Sequence, residues 1–169
     1  LNRISVEEFK ETEKFPVILI LDNIRSLNNV GAAFRTSDAF RIEKICLCGI
    51  TGKPPHRDIR KTALGATESV TWQYYPTTLA AIENCKKAGY LICAVEQVEG
   101  STSLEKLESV NQKKYAFIFG NEVFGVEDSA LAKSDKCIEI PQFGTKHSLN
   151  ISVSIGIVLW HYMNSILKK

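Results

Sequence analysis

The chain has 169 residues, 44% of them apolar, and a formal net charge of +2. This ordinary globular composition suits one compact domain that buries a full core without disulfides or structural metals. The weak positive charge permits a nucleic-acid partner but does not argue for one. Five cysteines (Cys46, Cys48, Cys85, Cys93 and Cys137) include no Cys-x-x-Cys pair, and four of them sit in apolar runs. They read as buried, reduced thiols. The three histidines and the cysteines form no cluster with ligand spacing, so no metal is expected. No secretory signal opens the chain, which starts on Leu1 with no initiator methionine. The longest apolar stretch, Leu149 to Met163, carries Asn150, Ser152, Ser154 and His161, too short and polar for a membrane span. A soluble cytoplasmic protein is expected.

In chain order, residues 1–15 read as a short amphipathic arm or helix, with Ser5 as N-cap and Glu8 completing a capping box. Residues 16–169 read as the single domain. Val17–Leu21 is an apolar strand ending in a polar loop. Asn29 is placed to cap a helix over Asn29–Phe40, in which Gly31 and Arg35 share a face. A glycine below that arginine leaves room for a substrate to approach. Ile45–Leu47 is a second strand, Lys53-Pro54-Pro55 a loop, and Arg57–Leu64 a helix. Val70–Tyr74 is a third strand. Leu79–Ala88 follows as a helix, capped by Thr78 and ended by Gly89, with Leu79, Ile82 and Ala88 facing inward. Tyr90–Val95 and Tyr115–Phe119 are strands, Ser129–Lys133 a helix, and Cys137–Ile140 the last strand. Beyond it, Ile151, Val153, Ile155, Ile157 and Leu159 alternate as in a strand. About eighteen residues without a breaker nevertheless favour a helix beginning at Ser148 or Asn150. Apolar runs alternating with helices predict a mostly parallel α/β sheet flanked by helices. There is no internal repeat and no linker.

Three strand-ending loops carry the chemistry. The first is Leu21 to Thr36, with Asn29, Gly31 and Arg35. The second is Phe117 to Val126, with Gly120, Glu122 and Gly125. The third is Ile138 to Val153, with Ile140, Pro141, Gly144, His147, Ser148, Leu149, Asn150 and Ser152. Ligands of parallel α/β sheets bind outside the carboxyl ends of the strands, where such loops lie. Each loop taken alone reads as a capped helix or an ordinary turn. No Gly-x-Gly-x-x-Gly follows the first strand, which disfavours a dinucleotide fold. Gly49-Ile50-Thr51-Gly52-Lys53-Pro54 is two residues too short between its glycines for a P-loop and lacks the Ser/Thr.

Taken together, in this order and spacing, the three loops resemble the three motifs of the SpoU/TrmH family of the SPOUT methyltransferases. Asn29, Gly31 and Arg35 match its Asn-x-Gly-x-x-x-Arg motif. Gly120, Glu122 and Gly125 match its Gly-x-Glu-x-x-Gly loop, and Ile140, Pro141, Gly144, Ser148, Leu149, Asn150, Ser152 and Val153 match its Ile-Pro…Gly…Ser-Leu-Asn-x-Ser-Val signature. The chain departs from the family at Ser26-Leu27-Asn28-Asn29, where many members have Asn-Pro-Gly-Asn. The resemblance implies an α/β domain with a C-terminal deep trefoil knot, working as a homodimer with the last helix in the interface. It implies transfer of a methyl group from S-adenosyl-L-methionine to a ribose 2′-hydroxyl of tRNA or rRNA. Gly120, Gly125, Ile140, Gly144 and Leu149 would hold the cofactor. Arg35 would steady the developing oxyanion, because a guanidinium holds its proton. Glu122 would accept a proton or orient Arg35, and Asn29, Ser148 and Asn150 would position the reactants. Arg25, Lys53, Arg57, Arg60, Lys61 and Lys146, with Arg35, would meet RNA phosphates. The alternative is a non-catalytic knotted RNA-binding or ribosome-assembly protein.

Overall fold

The computed structural model describes residues 2–107 and 113–168. Among the described residues seven strands form one sheet: β1 (Phe15–Asp22), β2 (Ile42–Cys48), β3 (Trp72–Tyr75), β4 (Leu91–Val95), β5 (Thr102–Ser103), β6 (Tyr115–Phe119) and β7 (Lys136–Glu139). Their order is β3-β2-β1-β6-β4-β7-β5, and every pairing of these strands is parallel. Leu21 lies opposite Phe119, Phe119 opposite Val95, and Val95 opposite Ile138. The carboxyl ends of β1, β6, β4 and β7 therefore align at one edge. The chain winds outward from β1 to β3 and then crosses to β4 on the other side of β1.

Among the described residues the α-helices are α1 (Val6–Glu11), α2 (Leu27–Ala39), α3 (Arg57–Ala63), α4 (Ala66–Ser69), α5 (Thr78–Lys87), α6 (Asp128–Lys133) and α7 (Ile151–Leu167). They cover both faces of the sheet, which explains why β6, and β1 as far as Leu21, are apolar at every position. Val17, Leu19, Leu21 and Phe117 turn to one face and pack with residues of α2, α3 and α7. Ile18, Ile20, Ala116 and Ile118 turn to the other and pack with α5 and α6. Alternate residues of a strand face opposite ways, so a doubly covered strand needs both sets apolar.

The last segment is a helix, as its length predicts. Ile151, Ile155, Val158, Leu159, Tyr162 and Met163 are its buried stripe. Val153, Ile157 and Trp160 form a second, exposed apolar stripe, with Leu149 just before the helix. Two stripes on one helix produce the strand-like alternation in the sequence. The capping box of Ser5 and Glu8 is present in α1, and Phe9 is buried in the core.

Several boundaries differ from the sequence reading. Ser26, not Asn29, caps α2, its hydroxyl accepting from the Asn29 amide. Thr77, not Thr78, caps α5. Thr78 is buried and its hydroxyl donates to the Asp22 carboxylate at 2.5 Å. β3 begins at Trp72 rather than Val70 because the short α4 occupies the preceding residues. The two-residue β5 is too short to carry a pattern. All five cysteines are free thiols, four of them buried and Cys137 partly so. Among the described residues no helix is long and apolar enough to cross a membrane.

Candidate active site

The site is assembled where β1, β6, β4 and β7 end. At the end of β1, Asp22 is fully buried and accepts from Thr78, from the Glu127 amide at 2.8 Å and from the Asn23 side chain at 3.1 Å. Burying a carboxylate is costly unless its oxygens are hydrogen-bonded, and these three donors meet that need. Asn23 follows with φ 55°, a left-handed conformation that asparagine tolerates better than most residues. Its Oδ1 accepts from the Ile50 amide at 3.0 Å, and its carbonyl oxygen accepts from Asn121 Nδ2 at 2.7 Å. Asp22 and Asn23 thus fasten the first loop to the loops after β2 and β6.

The loop after β6 is a tight hairpin-like turn. Asn121 and Gly125 exchange backbone hydrogen bonds of 3.0 and 2.9 Å. The Asn121 side chain also accepts from the amides of Val123 and Phe124. A Cβ on Gly120 would sit 2.2 Å from the Gly125 carbonyl carbon and the Val126 nitrogen. Gly125 has φ +71°, and a Cβ there would meet Glu96 Oε2 at 2.4 Å. These glycines let the loop close on itself and on Glu96. Glu96 in turn accepts from the Val126 amide at 3.1 Å.

Glu122 points back to the first loop. Its carboxylate accepts from the Arg25 amide at 2.9 Å, the Ser26 amide at 3.0 Å and Asn29 Nδ2 at 3.2 Å. Partial burial pushes its carboxyl up, but these donors and its own amide outweigh that, and the net shift is downward. Glu122 is therefore an ionised anchor at the entrance to α2, where the exposed amides of a helix start favour negative charge. It makes no bond to Arg35 among the described residues. Asn29 also accepts from Asn150 Nδ2 at 3.4 Å, joining the first and third loops. Asn150 caps α7, accepting from the Ser152 amide at 2.8 Å.

Between these loops lies an open cavity of about 720 Å³. Its lining includes Gly120, Gly125, Ile140 and Leu149 of the expected cofactor residues, and Glu122, Ser148 and Asn150 of the expected catalytic ones. Asn29 stands behind the wall, bonded to Glu122 and Asn150. Gly144 is exposed, lies outside the lining and has open space where a Cβ would be. Glu96, Asp128 and Glu139 also line the cavity. No motif singled them out, although all three stand just past or at the end of a strand or helix start. Asn23 and Asn121 were legible only as polar loop residues.

Arg35 is exposed and lies outside the cavity of its own chain. The packing of Gly31 overturns the expectation that it leaves room for a substrate beside Arg35. A Cβ on Gly31 would meet Thr62 Oγ1 at 2.0 Å and the Ile59 carbonyl at 2.3 Å. Gly31 is buried against α3 and brings the two helices together, rather than clearing space for a substrate. Arg25, Lys53, Arg57, Arg60, Lys61 and Lys146 are all exposed. The Lys53 ammonium sits 4.3 Å from the centre of the Tyr74 ring.

A parallel α/β sheet whose central strands end in three interlocked loops around one cavity defines an α/β protein of the SpoU type. The chain belongs to the SpoU rRNA Methylase family, whose family model matches residues 16–160. It is 28% identical over 167 residues to a tRNA (guanosine(18)-2′-O)-methyltransferase of Thermus thermophilus, spanning 99% of this chain and 84% of that protein. It is 29% identical over 159 residues to the 23S rRNA (guanosine-2′-O-)-methyltransferase RlmB of Neisseria meningitidis, spanning 94% of this chain and 62% of that protein. The fold matches the crystal structure of an AdoMet-bound rRNA methyltransferase from Sinorhizobium meliloti with a TM-score of 0.83 at 23% identity, covering 92% of this chain and 59% of that one.

Proposed function

We propose that the protein transfers a methyl group from S-adenosyl-L-methionine to a ribose 2′-hydroxyl of tRNA or rRNA. The observation that carries this reading is the meeting of three motif-bearing loops on one cavity at the carboxyl ends of the central strands. Membership of the SpoU family and the names of the relatives support it.

The cavity fits the cofactor on its own chemistry. A volume of about 720 Å³ accommodates a molecule of that size. Val95, Phe119, Ile140 and Leu149 offer apolar surface for a purine. Glu96, Glu122, Asp128 and Glu139 give a lining of negative charge suited to a cation. When bound, S-adenosyl-L-methionine supplies an electrophilic methyl on a sulfonium sulfur. The chain would hold the ribose hydroxyl facing the methyl and stabilise the charge that grows on its oxygen as its proton passes to solvent water. Arg35 provides the positive charge. Ser148 and Asn150 position the ribose. Glu122, with all its bonds directed to Arg25, Ser26 and Asn29, is a positioning residue that sets the first loop against the third.

Arg35 lies outside the cavity of its own chain, and α7 carries an exposed apolar stripe. Both facts support a homodimer in which α7 is covered and Arg35 of one copy serves the cavity of the other. The family resemblance further supports a trefoil knot around the third loop and a cytoplasmic location. Exposed Arg25, Lys53, Arg57, Arg60, Lys61 and Lys146 are the proposed phosphate contacts. No observation favours the non-catalytic reading. The test is nucleoside analysis of unmodified tRNA and rRNA transcripts after incubation with protein and cofactor. The reading predicts one 2′-O-methylated nucleoside. Base methylation, or none in the presence of bound cofactor, overturns it.

A further inference from the structure

Phe124 stands at the tip of the loop after β6 and is 86% exposed. It does not hang on a loose segment. The exchange of backbone bonds between Asn121 and Gly125, the two amides held by Asn121 Oδ1, and the three donors on Glu122 fix the turn that presents it. The same residue lines the mouth of the cavity. Phe143, next to the lining residue Gln142 on the third loop, is 96% exposed. A chain that can bury large aromatics, and buries Phe34, Phe117 and Phe119 almost completely, leaves these two in water beside its site. An ordered apolar ring held in solvent at a site is a surface awaiting a partner.

Resting on the function proposed above, we propose that Phe124 is the platform on which the base of the target nucleotide stacks, so that the enzyme accepts an unpaired nucleotide. The chemistry places the base there. The base is attached to the ribose carbon next to the one bearing the reacting oxygen, so an oxygen at the cavity mouth puts its base at the rim. The neighbours are those of a single-stranded nucleic-acid site. Arg25, whose amide is bonded to Glu122, and Lys146, beside the lining residue His147, are exposed cations. Aromatic rings with cations alongside bind unpaired bases through stacking and their backbone through charge. The exposed cations Arg25 and Lys146 beside the rings complement a phosphate backbone, which a second copy of this chain does not carry.

The experiment measures binding of fluorescent, unmodified tRNA and rRNA transcripts to cofactor-loaded wild type, Phe124→Ala and Phe124→Trp, with methyl transfer and solution mass read on the same samples. The expected result is roughly 10- to 100-fold weaker RNA binding for Phe124→Ala, restored by Phe124→Trp, with solution mass and cofactor affinity unchanged. RNA affinity unchanged by Phe124→Ala overturns the proposal. So does loss of the dimer or of cofactor binding in that variant, which would assign the ring to a protein or cofactor contact. Wild type that binds RNA through Phe124 but transfers no methyl would remove the proposed enzymatic function while leaving the stacking platform in place.

Discussion

Replacing Glu122 by glutamine separates the two roles a carboxylate could have at this position. In the structure its two oxygens serve three donors, the amides of Arg25 and Ser26 and the side chain of Asn29. Glutamine keeps one acceptor and turns an NH₂ group toward a backbone N–H, so one bond is lost and two donors oppose each other. A hydrogen bond to a charged group contributes about 1.5–3 kcal/mol net, and the solvent near this loop reduces that to about 1–2 kcal/mol. For a chain of this length that corresponds to a fall in Tm of about 2–8 °C. Thermal unfolding followed by circular dichroism measures it. Methyl transfer measured across pH supplies the second readout. As an anchor, Glu122→Gln raises the KM for RNA and leaves the shape of the pH profile intact. If Glu122 were the proton acceptor, the variant would lose roughly 10²–10⁴-fold in kcat and the acid limb of the profile, with Tm unchanged. That pattern would make Glu122 the base rather than the anchor.

Other perturbations follow from the same geometry. Gly31→Ala drives a Cβ against the Ile59 carbonyl and Thr62, and the overpacking of about 1–3 kcal/mol outweighs the roughly 1 kcal/mol gained in helix propensity. Its Tm should fall, and a rise would contradict the close packing of α2 on α3. Asn150→Ala removes the α7 cap and should cost about 0.5–2 kcal/mol in a denaturant titration, whereas Asn150→Asp retains most of it. Val153→Glu with Trp160→Glu places charges in the exposed stripe of α7. Light scattering should then report a monomer that retains its secondary structure, and an unchanged mass would exclude α7 from the interface. The carboxyl of Glu122 is held below its unfolded value, about 4.3, so its stabilisation is complete above that pH. It is lost as pH falls through the lower folded value, so Glu122→Gln and wild type should converge in Tm in acid and differ at neutral pH.

Much of the fold was legible because the signals were local. β6, and β1 as far as Leu21, are apolar at every position, and α5 and α7 have helical length and spacing. The boundaries that moved did so for reasons a sequence hides. Asn29 has a cap-like side chain, yet Glu122, distant in sequence, draws it into a bond across loops, and Ser26 caps α2 instead. Thr78 looks like a cap until Asp22 takes its hydroxyl. In the site, motif residues such as Gly120, Ile140 and Leu149 could be read from the loops. Asp22, Asn23 and Asn121 could not, because their importance lies in bonds made between loops rather than in spacing along one. The role of Gly31 depended on α3, an element outside its motif. The position of Arg35 on the outer face of α2 likewise becomes visible only once the cavity is placed.

The most direct test of the account is transfer of tritium from methyl-labelled S-adenosyl-L-methionine to unmodified tRNA and rRNA by wild type and Arg35→Ala. The account predicts label on a ribose 2′-oxygen of one RNA class, reduced about 10²–10³-fold in the variant while calorimetric cofactor binding persists. Equal transfer by the two proteins, or binding of cofactor with no label in either RNA, would contradict it.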